Sequence, residues 1–121
     1  ALQKLARIAA TDANGYCECV SCGCKKHYKD MDGGHFVSRK HNSVLLLEEN
    51  IHPQCKHCNK YLNGNMDSYS LFMIDTYGMD AMRELIQSKH QAKKFTEVEL
   101  LDLIGEYKLR IKEQEDRLAG V

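Results

Sequence analysis

The sequence predicts a small α+β domain: a hairpin-and-helix unit clamped by cysteines, with one helix before it and further helices after it. Three observations carry that expectation. Two Cys-x-x-Cys pairs, "CVSC" at 19–22 and "CKHC" at 55–58, enclose 32 residues (23–54). Within that interval, apolar runs at 35–38 and 43–52 are split by a polar segment. From residue 66 onward, apolar side chains recur at helical spacing. A chain of 121 residues suits one domain, organised as an N-terminal helix (1–15), a cysteine-braced core (16–65) and a helical extension (66–121).

The elements follow in order. Leu2, Leu5, Ile8 and Ala9 share one side of a short amphipathic helix over 2–11, and "DANG" (12–15) is turn chemistry that ends it. After the first cysteine pair, "HFVS" (35–38) and "SVLLLEENIH" (43–52) read as the two arms of a hairpin. "RKHN" lies at the connection, and Pro53 closes the second arm. From about Cys55 a short helix carries "CNKYLN" until "NGN" (63–65) breaks it. Met66, Tyr69, Phe72, Met73 and Tyr77 predict a helix over 66–77 that ends at Gly78. Met79, Met82, Leu85 and Ile86 predict another over 79–90. The last helix begins at Thr96, where "TEVE" is a capping box, and runs to about Leu118. Its stripe of Leu100, Ile104, Tyr107, Ile111 and Leu118 is a core face. The last two turns hold few apolar residues, so they are expected to project or to pair with another chain.

Six cysteines are present. A Cys-x-x-Cys turn offers two thiolates to one ion, and a second such turn completes a tetrahedral zinc site. A disulfide framework would ask for a secretory context that is not visible, and a redox pair would leave the second pair unexplained. Structural zinc on Cys19, Cys22, Cys55 and Cys58 is the reading that fits both pairs. Cys17 and Cys24 flank the first turn and could replace an inner ligand; Gly23 favours the inner pair, because such a turn commonly needs a residue able to take positive φ.

Composition excludes some classes of function. No apolar run approaches a membrane span, and "ALQKLARIAATD" mixes charge into helical spacing, unlike a secretory leader. Lys+Arg and Asp+Glu balance at 17 each, which argues against an indiscriminate nucleic-acid binder. The balance hides an asymmetry. Residues 1–65 carry 9 basic and 6 acidic side chains (+3), and residues 66–121 carry 8 and 11 (−3). Basic clusters at 25–29, 38–41 and 56–60 interleave with the cysteines and histidines, and local charge steers an anionic ligand. Lys25, Lys26, Arg39, Lys40, Lys56 and Lys60 are the candidate phosphate contacts. His27, His41, His57 and His90 read as surface residues.

Clamping the two cysteine turns together would bring the hairpin against the short helix, so that Asn59 faces the arm carrying His35. A neutral imidazole beside oxygen ligands and basic side chains suits the activation of water against a phosphodiester. A hard cation such as Mg²⁺ or Mn²⁺, bound by amide and carboxylate oxygens and not by thiolates, would stabilise the developing charge.

"CVSCG", "GGHF", "EEN", "QCKHCN" and "GN", in that order, resemble the HNH, or ββα-metal, endonucleases in the version braced by paired zinc knuckles. More narrowly, residues 16–69 are similar to the NinG/Rap recombination endonucleases of lambdoid phages, which act on branched DNA. The resemblance implies a zinc-braced ββα-metal core, DNA as substrate and a phage- or prophage-encoded protein in the bacterial cytoplasm. It makes His35 the general base, Asn50 the residue that ties the hairpin loop and Asn59 a ligand of the catalytic ion. The four inner cysteines match the structural zinc. Many family members carry Asp or His directly before the catalytic histidine, where this chain has Gly34. Asp32 is the nearest substitute, provided that the two glycines allow a bulge turning its carboxylate inward; Asp30, Asn63 and His52 are the other candidates. Two cuts at a junction would suggest a homodimer through the C-terminal helices. The rival readings are a non-catalytic zinc module that binds nucleic acid, a protein-interaction domain, and a nicking or sequence-specific HNH nuclease.

Overall fold

The computed structural model describes residues 1–38, 47–91 and 94–120. Helix α1 (Leu2–Ala9) buries Leu2, Leu5 and Ile8. It ends two residues earlier than its apolar spacing suggests. Thr11 Oγ1 donates to the Ile8 carbonyl at 2.6 Å, and the Asp12 carboxylate accepts from the N–H groups of Asn14 (2.9 Å) and Tyr16 (3.0 Å). Short polar side chains that bond nearby backbone favour turns over helix.

Strands β1 (Tyr16–Glu18) and β2 (Lys25–His27) form an antiparallel ribbon with Tyr16 opposite His27. The first cysteine turn is its tip. There the Gly23 N–H donates to the Cys19 carbonyl and the Cys19 N–H to that of Cys24, both at 2.8 Å. Gly23 has φ +80°, the conformation expected of the residue after Cys22.

Strand β3 (Met31–His35) pairs antiparallel with β4 (Ile51–Cys55), from Met31 opposite Cys55 to His35 opposite Ile51. A hairpin is therefore present, but its arms are displaced from the expected ones. The first arm ends at His35 instead of starting there. The apolar residues Phe36 and Val37 leave the ladder and drop into a cluster with Tyr69, Met73 and Leu85. The strand that does pair contains Gly33 and Gly34, which have little intrinsic β preference. Close packing explains it: a Cβ at Gly33 would lie 2.9 Å from Gln3 Cβ, so the glycine lets α1 lie directly on the strand. Pro53 does not close the second arm but sits inside it, opposite Gly33. Its carbonyl accepts from the Val20 N–H at 3.0 Å, which ties the first cysteine turn to the hairpin. The expected connection at 39–42 and residues 43–46 of the expected second arm lie outside the described residues, as do Arg39, Lys40 and His41.

After Cys55 the chain enters a single π-helical turn, His57–Tyr61, with the Leu62 N–H donating to the His57 carbonyl at 3.0 Å. Asn63, Gly64 and Asn65 then take φ of 50°, 93° and 46° and break it, as the asparagine-glycine run predicts. Helices α2 (Met66–Tyr77) and α3 (Met79–Ser88) meet at Gly78. Helix α4 (Glu97–Leu118) starts with the expected capping box: the Glu99 N–H donates to Thr96 Oγ1 at 3.1 Å, and the Thr96 N–H donates to Glu99 Oε1 at 3.4 Å.

Among the described residues, apolar burial falls into three clusters. One gathers Ile8, Tyr28 and Met31 around four of the cysteines. The second lies under α2 and α3. The third joins Leu2, Leu5, Ile51, Tyr107 and Ile111, and so seats α4 on α1 and β4. The stripe of α4 is offset from the expected one: Leu103 packs, whereas Ile104 is exposed. Its last turns do not project. Leu118 packs against the cysteine cluster, and Arg117 Nη2 donates to Thr11 Oγ1 (2.7 Å) and the Ile8 carbonyl (3.3 Å). Polar contacts supply there the docking that apolar count alone understated. Among the described residues, no helix is long and apolar enough to cross a membrane.

Candidate functional site

The sulfur atoms of Cys19, Cys22, Cys55 and Cys58 all lie within 4.8 Å of one another. A tetrahedral zinc with Zn–S bonds of about 2.3 Å requires S···S edges of about 3.8 Å, and Cys22 Sγ lies 3.8 Å from Cys55 Sγ. Four thiols this close together could hold a zinc ion. Outer contacts orient the sulfurs: the Cys58 N–H donates to Cys55 Sγ at 3.4 Å, and Asn65 Nδ2 to Cys58 Sγ at 3.6 Å. Burial pushes the thiols of Cys19 and Cys58 up, whereas the backbone N–H of Cys24 holds Cys22 low. A bound dication would supply the charge that lets the buried pair ionise. Cys17 and Cys24 stand outside the four-sulfur group, as expected. Cys17 is buried among apolar neighbours, and Cys24 packs against the cluster edge.

Next to this centre, Gln3, Asp32, Gly33, His35, Asn59 and Lys60 line one cleft. Asn59 Nδ2 donates to Asp32 Oδ2 at 3.0 Å, crossing from the π-turn to β3. With one Asn59 N–H given to Asp32, the side-chain oxygens of these two cleft residues are donors of the kind that suit a hard cation. Asp32 reaches this position without a bulge, since the β3–β4 register is continuous through Gly33 and Gly34. Asp30, Asn63 and His52 do not line the cleft.

Asn50 is fully buried and ties the loop that follows His35. Its Oδ1 accepts from the Val37 N–H at 2.7 Å, its Nδ2 donates to the Val37 carbonyl at 2.9 Å, and its carbonyl accepts from the Phe36 N–H at 2.8 Å. These bonds brace the backbone at Phe36 and Val37. Gly34 has a local reason. A Cβ there would collide with the Gln54 side chain, which is fully buried and donates from Nε2 to Ser21 Oγ (2.8 Å) and the Gly64 carbonyl (2.7 Å).

His52 belongs to a different network. Tyr69 Oη donates to the Gly34 carbonyl at 2.7 Å, so toward His52 Nδ1, 3.0 Å away, it acts as acceptor. The proton therefore sits on Nδ1, and Nε2 accepts from Tyr77 Oη at 2.7 Å. Burial pushes the imidazole pKa down to about 4. The chain Tyr77–His52–Tyr69 thus buttresses the carbonyl immediately before His35. Neither this network nor Gln3 is legible in the sequence, because each depends on docking between distant segments. Of the candidate phosphate contacts, Lys60 lines the cleft, and Lys25, Lys26 and Lys56 are exposed.

The family model described as "NinG: Bacteriophage Lambda NinG protein" matches residues 1–117. Protein ninG of Salmonella phage P22 is 32% identical over 99 residues, covering 81% of this chain and 48% of that protein. Protein ninG of Escherichia phage lambda is 32% identical over 96 residues, 78% of this chain and 46% of that one. The chain spans about half the length of these relatives. No solved structure matches it.

Proposed function

The chain belongs to the NinG family, and from that premise we propose that it is a metal-dependent DNA endonuclease of HNH type, cutting phosphodiesters at branched or recombination intermediates. The observation that supports this reading is the meeting of His35, Asp32 and Asn59 in one cleft, with the Asn59–Asp32 bond at 3.0 Å. The β3–β4 hairpin and the π-turn serve as the ββα-metal unit, and the four cysteines would hold a zinc that braces the turn against the hairpin. His35 accepts the proton of the water that attacks phosphorus, the role of a general base. Asp32 and Asn59 would hold Mg²⁺ or Mn²⁺, which would supply charge stabilisation to the reaction when bound. Asn50 keeps the backbone after His35 in place, and Lys60 meets a flanking phosphate. Cytoplasmic action in a bacterial host of a phage or prophage is part of the same proposal.

Cleavage of a four-way junction, a flap and a linear duplex in Mg²⁺ and in Mn²⁺ tests the reading. Removing a general base typically costs roughly 10²–10⁴-fold in rate, so His35→Ala is expected to lose cutting by that factor while keeping DNA affinity. Binding without cutting by the unaltered protein, in both metals and on all three substrates, would convert it to a non-catalytic zinc module.

A further inference from the structure

The π-turn that carries Cys58 to the zinc centre and Asn59 to the cleft also displays an aromatic pair that neither role uses. The His57 and Tyr61 rings lie 5.9 Å apart at 31°. Tyr61 is 78% exposed, the most open of the large hydrophobic side chains among the described residues, and Leu62 beside it is 45% exposed. Single exposed apolar residues are ordinary; the surroundings of this one are not. Lys56 and Lys60 are exposed on the same turn, Lys60 also lines the cleft, and no Asp or Glu occurs between Ile51 and Met66. π-helical turns are rare and concentrate at functional sites. An open aromatic face flanked by cations and continuous with a phosphodiester cleft has the chemistry of a base-stacking platform on single-stranded nucleic acid.

We infer that His57 and Tyr61 stack an unpaired DNA base beside the scissile phosphate, and that this contact selects branched or frayed DNA over continuous duplex. A base inside a duplex has both faces covered by its neighbours, whereas the first unpaired base at a fork presents one to the tyrosine. Lys56 and Lys60 hold the adjoining phosphates. The inference rests on the nuclease reading for the identity of the cleft, but the stacking itself requires no cutting.

The test uses a fork with 2-aminopurine as the first unpaired base, the matching duplex and the RNA version of the fork, at one fixed low salt concentration. Binding is read with His35→Ala protein so that the DNA stays intact. Stacking on Tyr61 changes the 2-aminopurine fluorescence on binding. Tyr61→Ala is expected to remove that change and weaken fork affinity roughly tenfold, the scale of one base–aromatic stack, with duplex affinity unaltered. Tyr61→Phe is expected to retain both signals. Equal weakening on fork and duplex, or no weakening on the fork, overturns the inference, and tighter binding of the RNA fork overturns DNA as the ligand. A Tyr61-dependent fork preference in a protein that cuts nothing would sink the nuclease reading alone, and cutting indifferent to Tyr61 would sink this one alone.

Discussion

Gly34→Ala tests why this chain carries no acidic residue directly before His35. An added Cβ would lie 2.5 Å from Gln54 Cδ and 2.9 Å from Cγ, and closer still to Oε1. Gln54 has no open space to enter, being fully buried with Nε2 bonded to Ser21 and Gly64. If the side chain holds its place, the methyl overpacks the site at a cost of about 1–3 kcal/mol. Swinging aside instead forfeits two hydrogen bonds worth about 1 kcal/mol each. Either route gives a loss of about 2 kcal/mol. Gln54→Ala alone loses the same two bonds and a packed side chain, yet it vacates the volume the new methyl needs. The double variant Gly34→Ala/Gln54→Ala should therefore be about as stable as Gln54→Ala, a coupling of about 2 kcal/mol. Urea unfolding of the four proteins, each with equal zinc content, measures it. Additivity within about 0.5 kcal/mol would refute the steric account of the glycine at position 34.

Elemental analysis of folded protein should find one zinc per chain; Cys55→Ser should abolish it and Cys17→Ser should not. Since structural zinc contributes roughly 10–16 kcal/mol of apparent binding free energy, a strong chelator should unfold the protein, and unchanged circular dichroism after chelation would contradict the clamp. His52 sets a pH dependence. Its folded pKa of about 4 lies below the unfolded value of about 6.5, so the unfolded chain takes up the proton first. Stability is then fully present above about pH 6.5 and falls between there and about pH 4, by about 2 kcal/mol at pH 5. His52→Gln should flatten that slope in urea titrations at pH 7 and pH 5, and an unchanged slope would assign it elsewhere. The proposed cutting of junctions calls for two sites, and Val98, Leu101 and Leu109 leave an apolar face of α4 exposed. Sedimentation should show a dimer that Leu101→Asp dissociates, and a monomer at every concentration, with and without DNA, would exclude it.

By itself the sequence determined whatever depends on neighbours along the chain. The capping box at Thr96 and Glu99, the positive φ of Gly23 and the break at 63–65 are local backbone chemistry, and each stands where its residues predict it. The two cysteine turns were equally legible, because a thiolate ligand set is written in spacing. Only the tertiary structure decided the register of the hairpin. Phe36 and Val37 look like strand residues, but burial under Tyr69 outweighs their β preference, while two glycines pair because a helix and a glutamine press on them. The contribution of Gln3 to the cleft and the buttress of His52 between Tyr69 and Tyr77 arise from segments far apart in sequence. Periodicity reports which face of an element is apolar, but not which partner will cover it.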